Sequence, residues 1–148
     1  FGFITLFLDF LKTFCPCLIM HKYFGTEVGV VSGFLTILGH IYPIWLKFKG
    51  GKGVASYMGF MLATSWPLFI VLIITWLVIV KIFKYSAVAA IISILINLIT
   101  FKIILFTQFN YNILLWIKGD PIEFQFILFI SIIILIKHYT NVINIFKK

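Results

Sequence analysis

The residues of this chain best suited to chemistry lie between Gly39 and Ser56, where Gly-His-Ile-Tyr-Pro-Ile-Trp-Leu-Lys-Phe is followed by Lys-Gly-Gly-Lys-Gly-Val-Ala-Ser. Gly50, Gly51, Lys52 and Gly53 stand directly before an apolar run that starts at Val54. Glycines let backbone N–H groups come close to an oxyanion, and the N-terminus of the following helix adds its dipole. Lys52 supplies a compact positive charge of the kind that binds phosphate. The spacing is not that of a Walker A loop, because Gly53 stands where a serine or threonine would follow the lysine. A flexible turn with lysines at a membrane surface is the competing reading of the same residues.

Three further places carry usable groups. His138 and Asn141 are three residues apart and share a face if the last helix continues through them. A histidine there suits general-base work near neutral pH, with Asn141 to orient it or to hold a phosphate; a polar helix end meeting water is the plainer alternative. Lys84-Tyr85-Ser86 is a short polar turn with a hydroxyl. Asp9 and Lys12 interrupt the first apolar run, where charges are costly unless paired, so an ion pair between them is expected. His40 and Pro43 close the second run and read as structural. Cys15 and Cys17 flank Pro16 without zinc-site spacing and too close for an ordinary disulfide, so they read as inert thiols.

These groups must be carried by membrane helices. Of 148 residues, 63% are hydrophobic and 11% charged, and the mean hydropathy is +1.18. A soluble domain of this length is about half apolar and a quarter charged. The net charge of +8 comes from lysine alone. The lysines stand singly or in small groups between apolar runs, which excludes a nucleic-acid-binding surface and fits loops held on one side of a membrane. The expected class is an all-α, polytopic integral membrane protein in a single membrane domain over 1–148.

Apolar runs cover Phe1 to Met20, Val28 to Leu46, Val54 to Val80, Ser86 to Phe106 and Ile122 to Ile136, with a mixed loop from Thr107 to Asp120. The third is long for one span and contains Ser65-Trp66-Pro67. Proline is accepted in the first turn of a helix and disruptive inside one. Split there, the run becomes two arms of roughly 16 and 21 Å by helix rise. Lys47, Lys49, Lys52, Lys81, Lys84, Lys137, Lys147 and Lys148 then share one side, against Lys22, Lys102 and Lys118. That asymmetry is what the positive-inside rule expects. The expectation is about six membrane segments, with a broken pair around Pro67. The glycine loop, Ser86 and the His138/Asn141 pair then fall on one membrane face.

Gly39-His40-Ile41-Tyr42-Pro43 followed by Phe48-Lys49-Gly50-Gly51-Lys52-Gly53-Val54-Ala55-Ser56 closely resembles the hallmark segment of the acyl-phosphate-dependent glycerol-3-phosphate acyltransferases, the PlsY family. Asp9, Lys12 and Pro16 resemble that family's second helix, Tyr85-Ser86 its serine-bearing turn, and His138 with Asn141 its C-terminal motif. The resemblance implies seven helices in a bacterial inner membrane, multi-pass, with the active-site loops cytoplasmic. It implies acyl transfer from acyl phosphate to the 1-hydroxyl of glycerol 3-phosphate, giving lysophosphatidic acid for phospholipid synthesis, with no cofactor and no metal. Lys52, His138 and Asn141 would be catalytic, and Gly50, Gly51, Lys52, Gly53 and Ser86 would bind substrate. The proton would go to His138 or to a substrate phosphate. The family's first helix and its serine- and arginine-bearing loop are expected upstream of Phe1, leaving six helices here. The chain departs from the pattern at Ala87, where the family has a second serine, and at Asn144, where it has an arginine; it also lacks the closing glycine and glutamate. An inactive remnant of such an enzyme is therefore the alternative, and a small membrane transporter subunit a further one.

Overall fold

The computed structural model describes residues 2–146, with the side chains of residues 140–142 and 144–146 outside that description. Lys147 and Lys148, two of the lysines counted above, lie outside the described residues. Six α-helices follow one another: α1 (Gly2–Phe24), α2 (Thr26–Ile41), α3 (Val54–Thr64), α4 (Trp66–Phe83), α5 (Ser86–Tyr111) and α6 (Pro121–Phe146). A 3₁₀ turn, Ile44–Leu46, stands between α2 and α3. Five segments are long and apolar enough to cross a membrane, and α3 is the short apolar remainder. At 11 residues α3 rises about 16 Å, well under a hydrocarbon core of roughly 30 Å.

The break between α3 and α4 falls where the proline argument put it. Ser65 is extended at φ −148° and ψ 100°, its N–H closes α3 on the Met61 carbonyl at 2.8 Å, and Pro67 lies in the first turn of α4. The second arm is longer than expected, because α4 continues through Lys81 to Phe83. Two other boundaries move. Helix α2 stops at Ile41 instead of running to Leu46, since Pro43 has no N–H to continue it. Helix α5 runs on to Tyr111, five residues into the expected loop. Its polar residues are satisfied without leaving the helix: the hydroxyl of Thr107 donates to Ile104 O at 2.8 Å and Nδ2 of Asn110 to Phe106 O at 2.9 Å. Asn112 then ends it in the left-handed region at φ 53°.

The chain forms two compact units, Phe1–Trp66 and Pro67–Lys148. In the first, α1 packs on both α2 and α3. The α1–α3 approach is backbone-close at Gly59, where a Cβ would strike the Phe10 carbonyl oxygen and come within 3.2 Å of Phe14 N. Small residues serve helix contact in this way inside membranes. Cys17 is buried in this unit and Cys15 lies on its outer surface, and the two form no disulfide. Asp9 pairs with His40 of α2 at 3.3 Å rather than with Lys12. Among the described residues Lys12 makes no ion pair, and its side chain is exposed.

In the second unit α5 and α6 pack as a hairpin, with Phe101 and Phe124 edge to face at 5.6 Å. Asn97, fully buried in α5, donates from Nδ2 to the Leu68 carbonyl of α4 at 2.7 Å. The hairpin loop is tied down by Gln108, whose Nε2 donates to the carbonyls of Leu114 and Ile117. Helix α6 opens with a reciprocal cap: Glu123 N–H donates to Asp120 Oδ1 at 2.7 Å, and Asp120 N–H to Glu123 Oε2 at 3.2 Å. Asp120→Ala removes one arm of that cap and is expected to cost about 1 kcal/mol. Glu123→Gln keeps an acceptor oxygen and should cost a few tenths at most. Unfolding in mixed detergent measures both, and an equal loss in the two variants would contradict the reciprocal cap.

Candidate active site

The glycine loop is built by what the sequence does on either side of it. Helix α2 ends with Tyr42 N–H on Leu38 O at 2.8 Å, and the chain turns through the 3₁₀ segment. Lys47 and Phe48 both take left-handed backbone, at φ 51° and 63°. Phe48 N–H returns to Pro43 O at 3.0 Å and Lys49 N–H to Leu46 O at 3.1 Å. This compact turn leads Gly50 and Gly51 back onto the end of α2. There the fit excludes side chains: a Cβ on Gly50 would meet the carbonyl oxygens of His40 and Ile41, and one on Gly51 would meet the His40 imidazole.

Gly53 sits at φ 82° and ψ 0°, a left-handed conformation that suits glycine, and it accepts the Tyr57 N–H at 2.8 Å. It has no side chain with which to cap α3, so the first N–H groups of α3 have no capping partner. The Lys52 side chain is exposed beside them, as are those of Lys47 and Lys49. An uncapped helix N-terminus, a lysine and no acidic residue from Tyr42 to Tyr57 are the features with which a helix end can attract an anion. Gly50, Gly51, Lys52 and Gly53, consecutive in the chain, form the approach to that end.

The second unit carries the other three residues. Lys84 turns the chain at φ 59°, and Ser86 opens α5 with an exposed side chain, followed by half-buried Ala87. Helix α6 continues past His138 and Asn141, which puts the two positions on one face. The Asn141 side chain lies outside the described residues, as does that of Asn144. His138 is 2% exposed, and its Nδ1 lies 3.0 Å from Ile134 O. A carbonyl oxygen can only accept, so Nδ1 is the donor of this bond. The α5–α6 hairpin is antiparallel, and counting residue for residue from the Phe101–Phe124 contact brings His138 level with Ser86 and Ala87. Among the described residues, no three His, Cys, Asp or Glu side chains gather as metal ligands would.

His40, read as structural from the sequence, joins Asp9 through Nδ1 and covers Gly51 with the opposite edge of its ring. What was not expected is its partner, since spacing pointed Asp9 to Lys12.

The family model for glycerol-3-phosphate acyltransferase matches residues 1–148. The chain belongs to the glycerol-3-phosphate acyltransferase family. A glycerol-3-phosphate acyltransferase of Anaplasma marginale (strain Florida) is 38% identical over 144 residues, covering 97% of this chain and 66% of that protein. One from Ehrlichia canis is 31% identical over 145 residues, covering 97% and 69%. Crystal structures of PlsY, an integral membrane glycerol 3-phosphate acyltransferase, superpose with TM-scores of 0.83 for the lysophosphatidic acid form and 0.84 for the glycerol 3-phosphate form. They are 30% and 29% identical, with 99% of this chain covered and 69% and 68% of theirs. The chain spans about two thirds of the length of these glycerol-3-phosphate acyltransferases.

Proposed function

We propose that this family member transfers an acyl group from acyl phosphate to the 1-hydroxyl of glycerol 3-phosphate, releasing inorganic phosphate and lysophosphatidic acid. The observation that carries the reading is the uncapped start of α3 beneath Gly50, Gly51, Lys52 and Gly53, in a chain matched over its whole length by the acyltransferase family. In this reading Lys52 and the loop amides hold the phosphate of glycerol 3-phosphate. Ser86 adds a hydroxyl for substrate. His138 takes the proton of the attacking hydroxyl or orients the substrate, and Asn141 positions it. The bilayer supplies the setting, a bacterial inner membrane with the lysine-rich loops facing the cytoplasm. The lysine asymmetry of eight against three supports that orientation.

The test is an assay of the purified chain in lipid nanodiscs with labelled glycerol 3-phosphate and palmitoyl phosphate. Lysophosphatidic acid formed in step with inorganic phosphate is expected. Binding of glycerol 3-phosphate without product would point to the remnant reading. Passage of substrate across a proteoliposome without product would point to a transporter.

A further inference from the structure

The chemistry of the loop draws attention to Lys52, but the loop's position is set elsewhere. Asp9, in the middle of an apolar helix, is the joint of the first unit. Its carboxylate takes His40 Nδ1 of α2 at 3.3 Å, and its backbone carbonyl takes the Ser56 hydroxyl of α3 at 3.2 Å. Ser56 is fully buried and lies in the first turn of α3, directly behind the amides at the loop's end. His40 holds the other end twice: its carbonyl accepts the Gly51 N–H at 3.2 Å, and the Nε2 edge of its imidazole fills the space a Gly51 side chain would need. With Nδ1 turned to Asp9, the opposite edge of the ring faces the loop. Asp9 thus reaches both ends of Gly50–Val54, one through its carboxylate and the other through its backbone carbonyl. A charge within an apolar helix that is paired in this way has more than a packing reason to be there.

We propose that Asp9 and His40 are positioning residues that hold Lys52 and the amides leading from it into α3 in register for the phosphate of glycerol 3-phosphate. Neither touches the substrate; they act by fixing where the loop sits. The inference rests on the reading of this loop as the phosphate site. Misplacing a binding group by about 1 Å can cost on the order of a hundredfold, and loosening one tether should cost less.

Asp9→Leu and His40→Leu, in the full chain in nanodiscs, are each expected to raise KM for glycerol 3-phosphate about tenfold. KM for palmitoyl phosphate should stay within about twofold. The double variant should be no worse than the worse single one, because both changes remove the same contact. His40→Asn, whose amide N–H can reach Asp9 from nearly the Nδ1 position, should recover most of the loss. Hydrogen exchange at the Gly51 amide should quicken in Asp9→Leu and His40→Leu and return in His40→Asn. Unchanged KM and unchanged exchange would overturn the proposal. So would equal losses toward both substrates with protection lost throughout α1–α3, which would make the pair a helix-packing element only. Lys52→Ala, measured alongside, separates the two levels. If it leaves KM for glycerol 3-phosphate unchanged, the phosphate reading of the loop fails, whereas an effect of Lys52→Ala without one of Asp9→Leu sinks the positioning role alone.

Discussion

Lys52→Ala should lower acyl transfer by about two to three orders of magnitude while leaving membrane insertion and helix content unchanged. The lysine is exposed and makes no packing contact whose loss would unfold the unit. It is also the sole charged residue between Gly50 and Lys81, so no neighbour on α3 replaces it. Lys47 and Lys49 lie in the turn that precedes the glycines, bonded through their N–H groups to Ile44 and Leu46. Lys52→Arg keeps the charge but spreads it over a planar fork, and should recover only part of the rate. Steady-state kinetics on nanodisc-embedded protein, with circular dichroism for helix content, reads both. Turnover within a factor of a few of wild type in Lys52→Ala would remove the phosphate assignment.

Gly59→Val should strongly destabilise the packing of α1 on α3 in the first unit. Its Cβ would enter the Phe10 carbonyl oxygen, and a backbone atom cannot rotate aside, so α1 and α3 must separate. Overpacking of this kind costs about 1–3 kcal/mol, and the β-branch adds to it. Helix propensity works the other way, since replacing a helical glycine by alanine gains roughly 1 kcal/mol where there is room. Gly39 provides that control, because a Cβ there meets nothing within 4 Å. Gly39→Ala should therefore stabilise the protein slightly, Gly59→Ala should destabilise it, and Gly59→Val should do so more strongly. Detergent-unfolding midpoints for the three variants decide the order. If Gly59→Val matches Gly39→Ala, the close α1–α3 approach is not a feature of the protein in a membrane.

Much of this protein was legible without coordinates. An apolar content of 63% with lysines confined to short gaps leaves helices in a bilayer as the one way to satisfy the backbone. Pro67 predicted the break near Ser65, because a missing N–H is harmless in a first turn and harmful in a third. The Gly50–Gly53 loop was visible as a concentration of glycine and lysine ahead of a helix start. These are local properties, and local properties are what a sequence carries most directly. The extent of α5 was less legible, because Thr107, Gln108 and Asn110 look like loop residues until their hydrogen bonds back to helix and turn carbonyls are seen.

The partner of Asp9 could not be read from spacing. Lys12, one turn away, was the obvious candidate by sequence, yet α2 brings His40 to the carboxylate from 31 residues further along the chain. The purpose of Gly50 and Gly51 was likewise only half visible. Their need for space arises from the end of α2, which they touch because Pro43 and the left-handed Lys47–Phe48 turn send the chain back over it. Composition and periodicity determined that this is a membrane protein, where its helices break and which residues could meet an anion. The tertiary structure alone decided which charge is paired with which, because a low-dielectric interior makes an unpaired carboxylate too costly to leave and only packing brings its partner within reach.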